Sequence, residues 1–335
     1  MSEVNRRYLL RERPSARIEP GTFELVEEAV PEIGDGEALV RNRWISLDPT
    51  NRMWINDAPG YLPPVQIGEV MRSGGLAEVV ASNSPDYQVG QLVQGLTGWQ
   101  DYVVASKSAP LMVMPDVPGV TPSHFLGVLG MTGLTAYVGT IDISQPKPGE
   151  TVVVSAAAGA VGSIAGQLAK IQGARVVGIA GGPAKCALLT DELGFDAAVD
   201  YKAPGWRAAL KDATPDGIDV DFENVGGEIM EAVFARLNIR ARVALCGLIS
   251  GYNEADPPPG PRSFGTLLVN RVMLQGFIVL DHFGRFGEVT PKLAGWMAEG
   301  KLKAQETVVE GFEQLPVAIN MLFDGANTGK LVVKV

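Results

Sequence analysis

Two glycines mark the first place where this chain could do chemistry. The stretch Thr151–Ile164, TVVVSAAAGAVGSI, sets Gly159 and Gly162 three residues apart directly after a β-branched run. That is the spacing of the last two glycines in a dinucleotide fingerprint, with Ala157 where the first would stand. Such a turn lets backbone approach a pyrophosphate and lets a helix sit close on its strand, while the orphan N–H groups of the helix start face the phosphates. A plain tight turn would need the same glycines. The nineteen residues from Thr151 to Ala169 carry no charge, which by length alone suggests a membrane span. Their many Ala and Gly residues make a poor one, and strand, turn and amphipathic helix is the better description.

A second candidate lies in IAGGPAKC, Ile179–Cys186. An NAD site places an acidic residue about 20 residues beyond the glycines. No Asp or Glu occurs from Ala174 to Thr190, and Lys185 sits near the start of the next helix. A lysine there can meet the 2′-phosphate of NADPH as a point charge, although a solvated helix lysine would look the same. The third candidate is Tyr252, two residues after Ser250 and just past the fifth strand of the series below, where open parallel sheets bind their ligands. Packing under the proline loop Pro257–Pro261 is its plainer role.

These residues need a scaffold, and the middle of the chain supplies one. Apolar runs at Thr151–Ala156, Arg175–Ala180, Ala197–Tyr201, Ile218–Glu223, Arg242–Leu248 and Val272–Leu280 alternate with helix-like segments, the pattern of a doubly wound parallel sheet. Val161, Ile164, Ala165, Leu168 and Ala169 give the first helix one apolar face. Residues up to about 127 are rich in Gly and Pro with short strands such as Glu78–Ala81 and Gln91–Leu96, which suits a small β-barrel. The tail Gly329–Val335, GKLVVKV, reads as a strand returning to that barrel. The expected division is therefore 1–127 with 298–335 as one domain and 128–297 as an inserted cofactor domain.

Composition sets the outer limits. A chain of 335 residues with 46% hydrophobic content has material for two cores. Its net charge of −10 repels phosphate at long range, so neither nucleic acid nor an anionic membrane is an expected partner. Met1–Arg17 has arginines but no apolar core of signal-peptide length, and the cytoplasm is the expected location. Two cysteines, Cys186 and Cys246, and two histidines make a meagre set of soft ligands.

Taken in order, a barrel followed by AAAGAVG, IAGGPAKC, ENVGG, CGLISGYN and NTGKLVVKV resembles the medium-chain dehydrogenase/reductase superfamily. More narrowly, it resembles the zinc-free branch of leukotriene B4 dehydrogenase/prostaglandin reductase and alkenal double-bond reductases. The resemblance implies an α/β protein with a GroES-like β-barrel catalytic domain and a Rossmann NADP-binding domain. It implies that Gly159, Ala160, Val161 and Gly162 hold the pyrophosphate and that Gly181, Lys185 and Tyr201 lie at the 2′-phosphate. Asn224 would lie beside the cofactor, and Cys246, Gly247, Ile249, Ser250, Phe277, Ile278, Val279 and Asn327 around its nicotinamide half. Core or turn roles remain open for Cys246, Phe277 and Asn224.

Relatives with zinc bring a cysteine ligand on the loop that here reads SLDPTNR, which offers Asp48 instead. His124 and His282 read as packing or surface residues, and no bound metal is expected. Without zinc, reduction of a C=C bond conjugated to a carbonyl needs only a hydrogen-bond donor for the enolate oxygen. The resemblance puts Tyr252 in that role and Tyr61 in the substrate cleft. The implied activity is NADPH-dependent reduction of α,β-unsaturated ketones or aldehydes, in a homodimer. A quinone reductase and a non-catalytic, crystallin-like or sensing NADPH-binding protein are the rival readings.

Overall fold

The structure is a computed structural model, and it describes residues 4–58, 60–115, 117, 119–254 and 260–335. Pro257–Pro259 of the proline loop lie outside the described residues. The chain forms two compact units. One comprises Met1–Leu126, Thr307–Ala326 and Leu331–Val335, and the other Gly127–Glu306 with Asn327–Lys330.

The first unit is a β-structure. Strands β1 (Val4–Leu10) and β2 (Phe23–Ala29) make an antiparallel pair, while β3 (Ala38–Leu47), β4 (Gly75–Ser82), β5 (Leu92–Gly95), β6 (Tyr102–Ala105) and β7 (Met112–Val113) enter a larger sheet. The larger sheet has inward faces of alternating small and branched residues: Ala38, Val40, Ala77, Val79, Val93 and Ala105 form one buried cluster. A second cluster gathers Tyr8, Leu10, Ile45, Leu47, Trp99 and Phe312, and in it the Tyr8 and Phe312 rings stack at 5.2 Å between centroids.

The second unit carries the site. Strands β8 (Thr151–Val154), β9 (Arg175–Ala180), β10 (Ala197–Asp200), β11 (Ile218–Glu223), β12 (Leu237–Leu245) and β13 (Met273–Gly276) form a parallel sheet in the order β10-β9-β8-β11-β12-β13. The order reverses direction next to β8, and the crevice at such a switch point is where doubly wound sheets bind ligands. Every residue of β8 is buried, as expected of a strand covered by helices on both faces. The expected alternation is thus observed, and two strands differ most in extent. β12 starts five residues before the apolar run, because polar Asn238 and Arg240 hid LNIRA, and Arg240 takes a positive φ of 65° at an irregularity in the register. The last strand stops at Gly276, and Val279–Arg285 winds into a 3₁₀ turn.

The helix Ala160–Ile171 is buried from Gly162 to Ala169, on its polar side as well as the expected apolar one. Gln167 explains how that side is satisfied: its Nε2 donates to Ser163 O and Lys303 O, and its Oε1 accepts from Lys303 N–H. Among the described residues no helix is long and apolar enough to cross a membrane. The last strands, β14 (Glu306–Glu310) and β15 (Lys330–Lys334), join the barrel-side sheet, where β15 pairs with β3 through Leu331↔Leu47 and Val333↔Ile45.

Candidate active site

Three groups of residues gather at the carboxyl ends of the parallel strands. The first is the glycine turn. A Cβ at Gly162 would lie 2.4 Å from Ala156 O and 3.0 Å from Ala157 Cα. These are backbone atoms that cannot swing aside, so only glycine lets the helix start this close to β8. Ala157, in the place of the first fingerprint glycine, is fully buried and donates to Ile179 O at 3.0 Å. The left-handed backbone falls one residue earlier, on Ala156 at φ 46°. With Gly159 as N-cap and no capping side chain, the N–H groups of Ala160, Val161 and Gly162 have no intrahelical acceptor. Asn327 comes to this turn as well: Gly329 pairs with Gly159 and donates to Ala158 O at 2.8 Å, and Asn327 Nδ2 donates to Gly329 O at 3.0 Å.

The second group lies past β9 and β10. A Cβ at Gly181 would stand 3.0 Å from Lys202 Cε and 3.0 Å from Tyr201 Cε1, so this glycine clears a floor between those side chains. Lys185, on the short helix Pro183–Ala187, is half-buried, and burial first and Lys202 second depress its ammonium below the ordinary lysine value. Asp200 ties the two loops by accepting from Gly182 N–H at 2.8 Å and Lys202 N–H at 2.9 Å. Two cations held within each other's field beside a hydrogen-bonding phenol suit a phosphate dianion. Sequence reasoning missed Lys202, although its place directly after Tyr201 was a usable signal.

The third group lies past β11 and β12. Asn224 N–H donates to Ser155 Oγ at 2.7 Å, and its Nδ2 donates to Ser155 O at 2.7 Å, so the carboxamide's Oδ1 is its remaining acceptor. The segment after β12 is laced to it: Ile249 N–H reaches Asn224 O at 3.1 Å, and Ser250 N–H and Oγ reach Val225 O at 3.0 and 2.6 Å. Tyr252 folds back over this turn, its hydroxyl accepting from Leu248 N–H at 3.2 Å beside Gly247. An accepted N–H bond polarises a hydroxyl and is compatible with donation of its own proton.

Cys246 is no nucleophile, because burial and the neighbouring Glu223 carboxylate push its thiol up to about 12. Phe277 packs edge-on against Phe222 at 6.5 Å between centroids, which is a packing contact, and Ile278 and Val279 lead from β13 into the 3₁₀ turn. Tyr61 belongs to the barrel unit, where its hydroxyl is hydrogen-bonded to Thr50 Oγ1 and burial raises it above the ordinary phenol value. On the SLDPTNR loop, Asp48 accepts from Ser46 Oγ and its N–H donates to Asn51 Oδ1 at 2.7 Å. Among the described residues no group of three or more His, Cys, Asp or Glu is placed to hold a metal ion.

Residues 6–113 match the family described as the N-terminal domain of oxidoreductase, and residues 160–295 the family described as zinc-binding dehydrogenase. The chain is 45% identical to the NADPH-dependent curcumin reductase of Escherichia coli (strain K12), over 99% of this chain and 97% of that one. The chain is a zinc-free medium-chain dehydrogenase/reductase. To the NADP(+)-dependent 2-alkenal reductase of Nicotiana tabacum, this reductase is 40% identical over 91% of its length and 89% of the relative's. Its fold superposes on CurA from Vibrio vulnificus in complex with NADPH with a TM-score of 0.94, at 43% identity, covering 98% of this chain and 99% of that one. The GroES-like and Rossmann architecture of the family is the architecture of this chain.

Proposed function

We propose that this reductase uses NADPH to reduce the C=C bond of α,β-unsaturated ketones or aldehydes. The relatives named as curcumin and alkenal reductases support that reading, and one observation of the site carries it: Tyr252 presents a polarised hydroxyl at the carboxyl ends of β11 and β12, beside Asn224.

The fit to NADPH rests on the two glycines. The cradle that a Cβ at Gly162 would fill, with the N–H groups of Ala160, Val161 and Gly162 at the helix start, suits a pyrophosphate. The floor at Gly181 between Lys185, Tyr201 and Lys202 suits a 2′-phosphate. Bound there, NADPH supplies a hydride equivalent from nicotinamide C4. The residues of this chain then do three things. Asn224, with Nδ2 committed to Ser155, offers Oδ1 to a hydroxyl donor. The 246–252 segment walls the nicotinamide half. Tyr252 would stabilise the negative charge that grows on the substrate oxygen as hydride is added at the β-carbon and would hold or deliver a proton to the enolate, with the α-carbon protonated by solvent or by the same hydroxyl. Tyr61 is the substrate-binding residue of the first unit in this reading. No step requires a metal, since the oxyanion needs only a donor.

The protein acts as a homodimer in this reading. β13 is the outer strand of its sheet and is exposed throughout, with Met273 42% and Leu274 37% exposed and Leu268 on the adjacent helix 82% exposed. An unpaired apolar edge of this kind is a template for pairing with a second copy.

Following NADPH absorbance with an enone, the matching saturated ketone and a quinone tests the assignment. Turnover of the enone alone is the expected result. Preference for the quinone would make it a quinone reductase, and turnover of none of the three would make it a binding protein.

A further inference from the structure

Glu223, the last residue of β11, is fully buried and lies outside every residue so far given a role. Its Oε1 accepts from Ser155 Oγ at 2.8 Å, Val225 N–H at 2.5 Å and Gly226 N–H at 2.8 Å. Its backbone carbonyl accepts from both Cys246 and Gly247 N–H, at 2.9 and 3.1 Å. Ser155 in turn accepts from Asn224 N–H through Oγ and from Asn224 Nδ2 through its carbonyl. The carboxylate thus closes a ring of hydrogen bonds around Asn224, while the backbone carbonyl of the same residue holds the root of the 246–252 segment.

Asp221, two residues earlier on the same strand face, makes the contrast. It is equally buried, neither of its carboxyl oxygens has a hydrogen-bond partner, and its register partners are Val153 and Val243. Burial and the charge of Glu223 raise it well above the ordinary carboxylate range. Burial raises Glu223 too, but the donors of Gly226, Val225 and Ser155 oppose that rise. A buried charge is tolerated only where it is hydrogen-bonded, and in this pair that residue is Glu223.

We infer that Glu223, working through Ser155, is a positioning residue for hydride transfer: it holds Asn224 and the Gly247–Tyr252 turn in the register that meets the nicotinamide end of the cofactor. The inference rests on the reading that this turn faces the nicotinamide. Misplacement of reacting groups by about 1 Å can cost on the order of 100-fold in rate, whereas the phosphate contacts at Gly162, Lys185 and Lys202 lie on other loops.

The test uses Glu223→Gln and Ser155→Ala in the full chain, with Asp221→Asn as the control. Amide exchange of the protein without cofactor should show lost protection over residues 224–227 and 247–252 in both variants and none lost in Asp221→Asn. Single-turnover NADPH oxidation with an enone should slow about 10- to 100-fold in both variants while NADPH affinity, read by its fluorescence, changes less than about threefold. Native protection and rate in Glu223→Gln, NADPH affinity falling as far as the rate, or Asp221→Asn behaving like Glu223→Gln would each overturn the inference. Ser155→Ala decides the matter if Glu223→Gln does not fold. If the parent protein reduces no enone, the function reading fails by itself, and the exchange measurement still decides whether Glu223 holds the turn.

Discussion

Cofactor choice gives the sharpest test of the cation pair at Gly181. If Lys185 meets the 2′-phosphate as proposed, its removal deletes one charge-assisted contact worth about 1.5–3 kcal/mol, or roughly 10- to 150-fold in affinity. Lys185 is only half-buried, and solvent screening places its share toward the lower end of that range. Lys202 is exposed, so Lys202→Ala alone should weaken NADPH by only about two- to fivefold. The two effects should not add, because Lys202 also repels Lys185 and its removal lets Lys185 hold its proton more firmly. The pH dependence carries a definite sign. A lysine whose value is depressed loses its charge as pH rises through that depressed value, so NADPH affinity should fall with rising pH. The fall should move to higher pH in Lys202→Ala, and NADH affinity should be flat over the same range. Fluorescence titrations of both cofactors across pH and in increasing salt measure all of this. Equal weakening of NADPH and NADH by Lys185→Ala would refute the reasoning, as would an NADPH pH profile unmoved by Lys202→Ala.

Tyr252→Phe keeps the ring and deletes the donor, so NADPH affinity should hold while kcat for an enone falls about 10- to 1000-fold; an unchanged kcat would move the donor elsewhere, with Tyr61→Phe the next variant to assay. Gly162→Ala forces a Cβ to 2.4 Å from Ala156 O, and overpacking of about 1–3 kcal/mol should outweigh the helix propensity gained; calorimetry should show a lower Tm and titration a loss of NADPH binding. Cys246, with its thiol pushed up to about 12, should carry a thiolate fraction of roughly one in ten thousand at pH 8 and resist alkylation in the folded protein, with mass spectrometry as the check. Dialysis against a strong chelator should leave enone turnover intact, and elemental analysis should find less than one zinc per chain.

What the sequence revealed and what it hid divide along a physical line. The sheet was legible because strands buried on both faces tend to be continuous apolar runs: TVVV and VVGIA announce themselves one after the other. The glycine turn was legible because a close approach of backbone leaves a residue type behind, and the steric need at Gly162 is local to a few neighbours in the chain. The role of Glu223 was not legible, and that of Lys202 only faintly so through its place after Tyr201, for the opposite reason. A lysine at a strand end looks solvated until the Cβ space of Gly181, twenty-one residues earlier, is seen to lie against it.

An acid inside IDVDFE reads as the polar half of an alternation, yet Asp221 and Glu223 alternate into a buried face. Only the fold separates them: Asp221 meets valines on both neighbouring strands, while Glu223, one step nearer the strand end, meets two N–H donors of the turn that follows and the Ser155 hydroxyl beyond β8. The same strand therefore holds, within two residues, one acid with no hydrogen-bond donor and one whose Oε1 accepts three. A hydrogen-bonded carboxylate at the carboxyl end of a strand fixes the turn that follows, and that turn leads to Asn224 and, through the bonds from Ile249 and Ser250, to Tyr252. The residues a reader of sequence would assign to ligand and those that aim them are thus separated by one position, the buried Glu223 beside the partly buried Asn224, with a single hydroxyl, Ser155, between them.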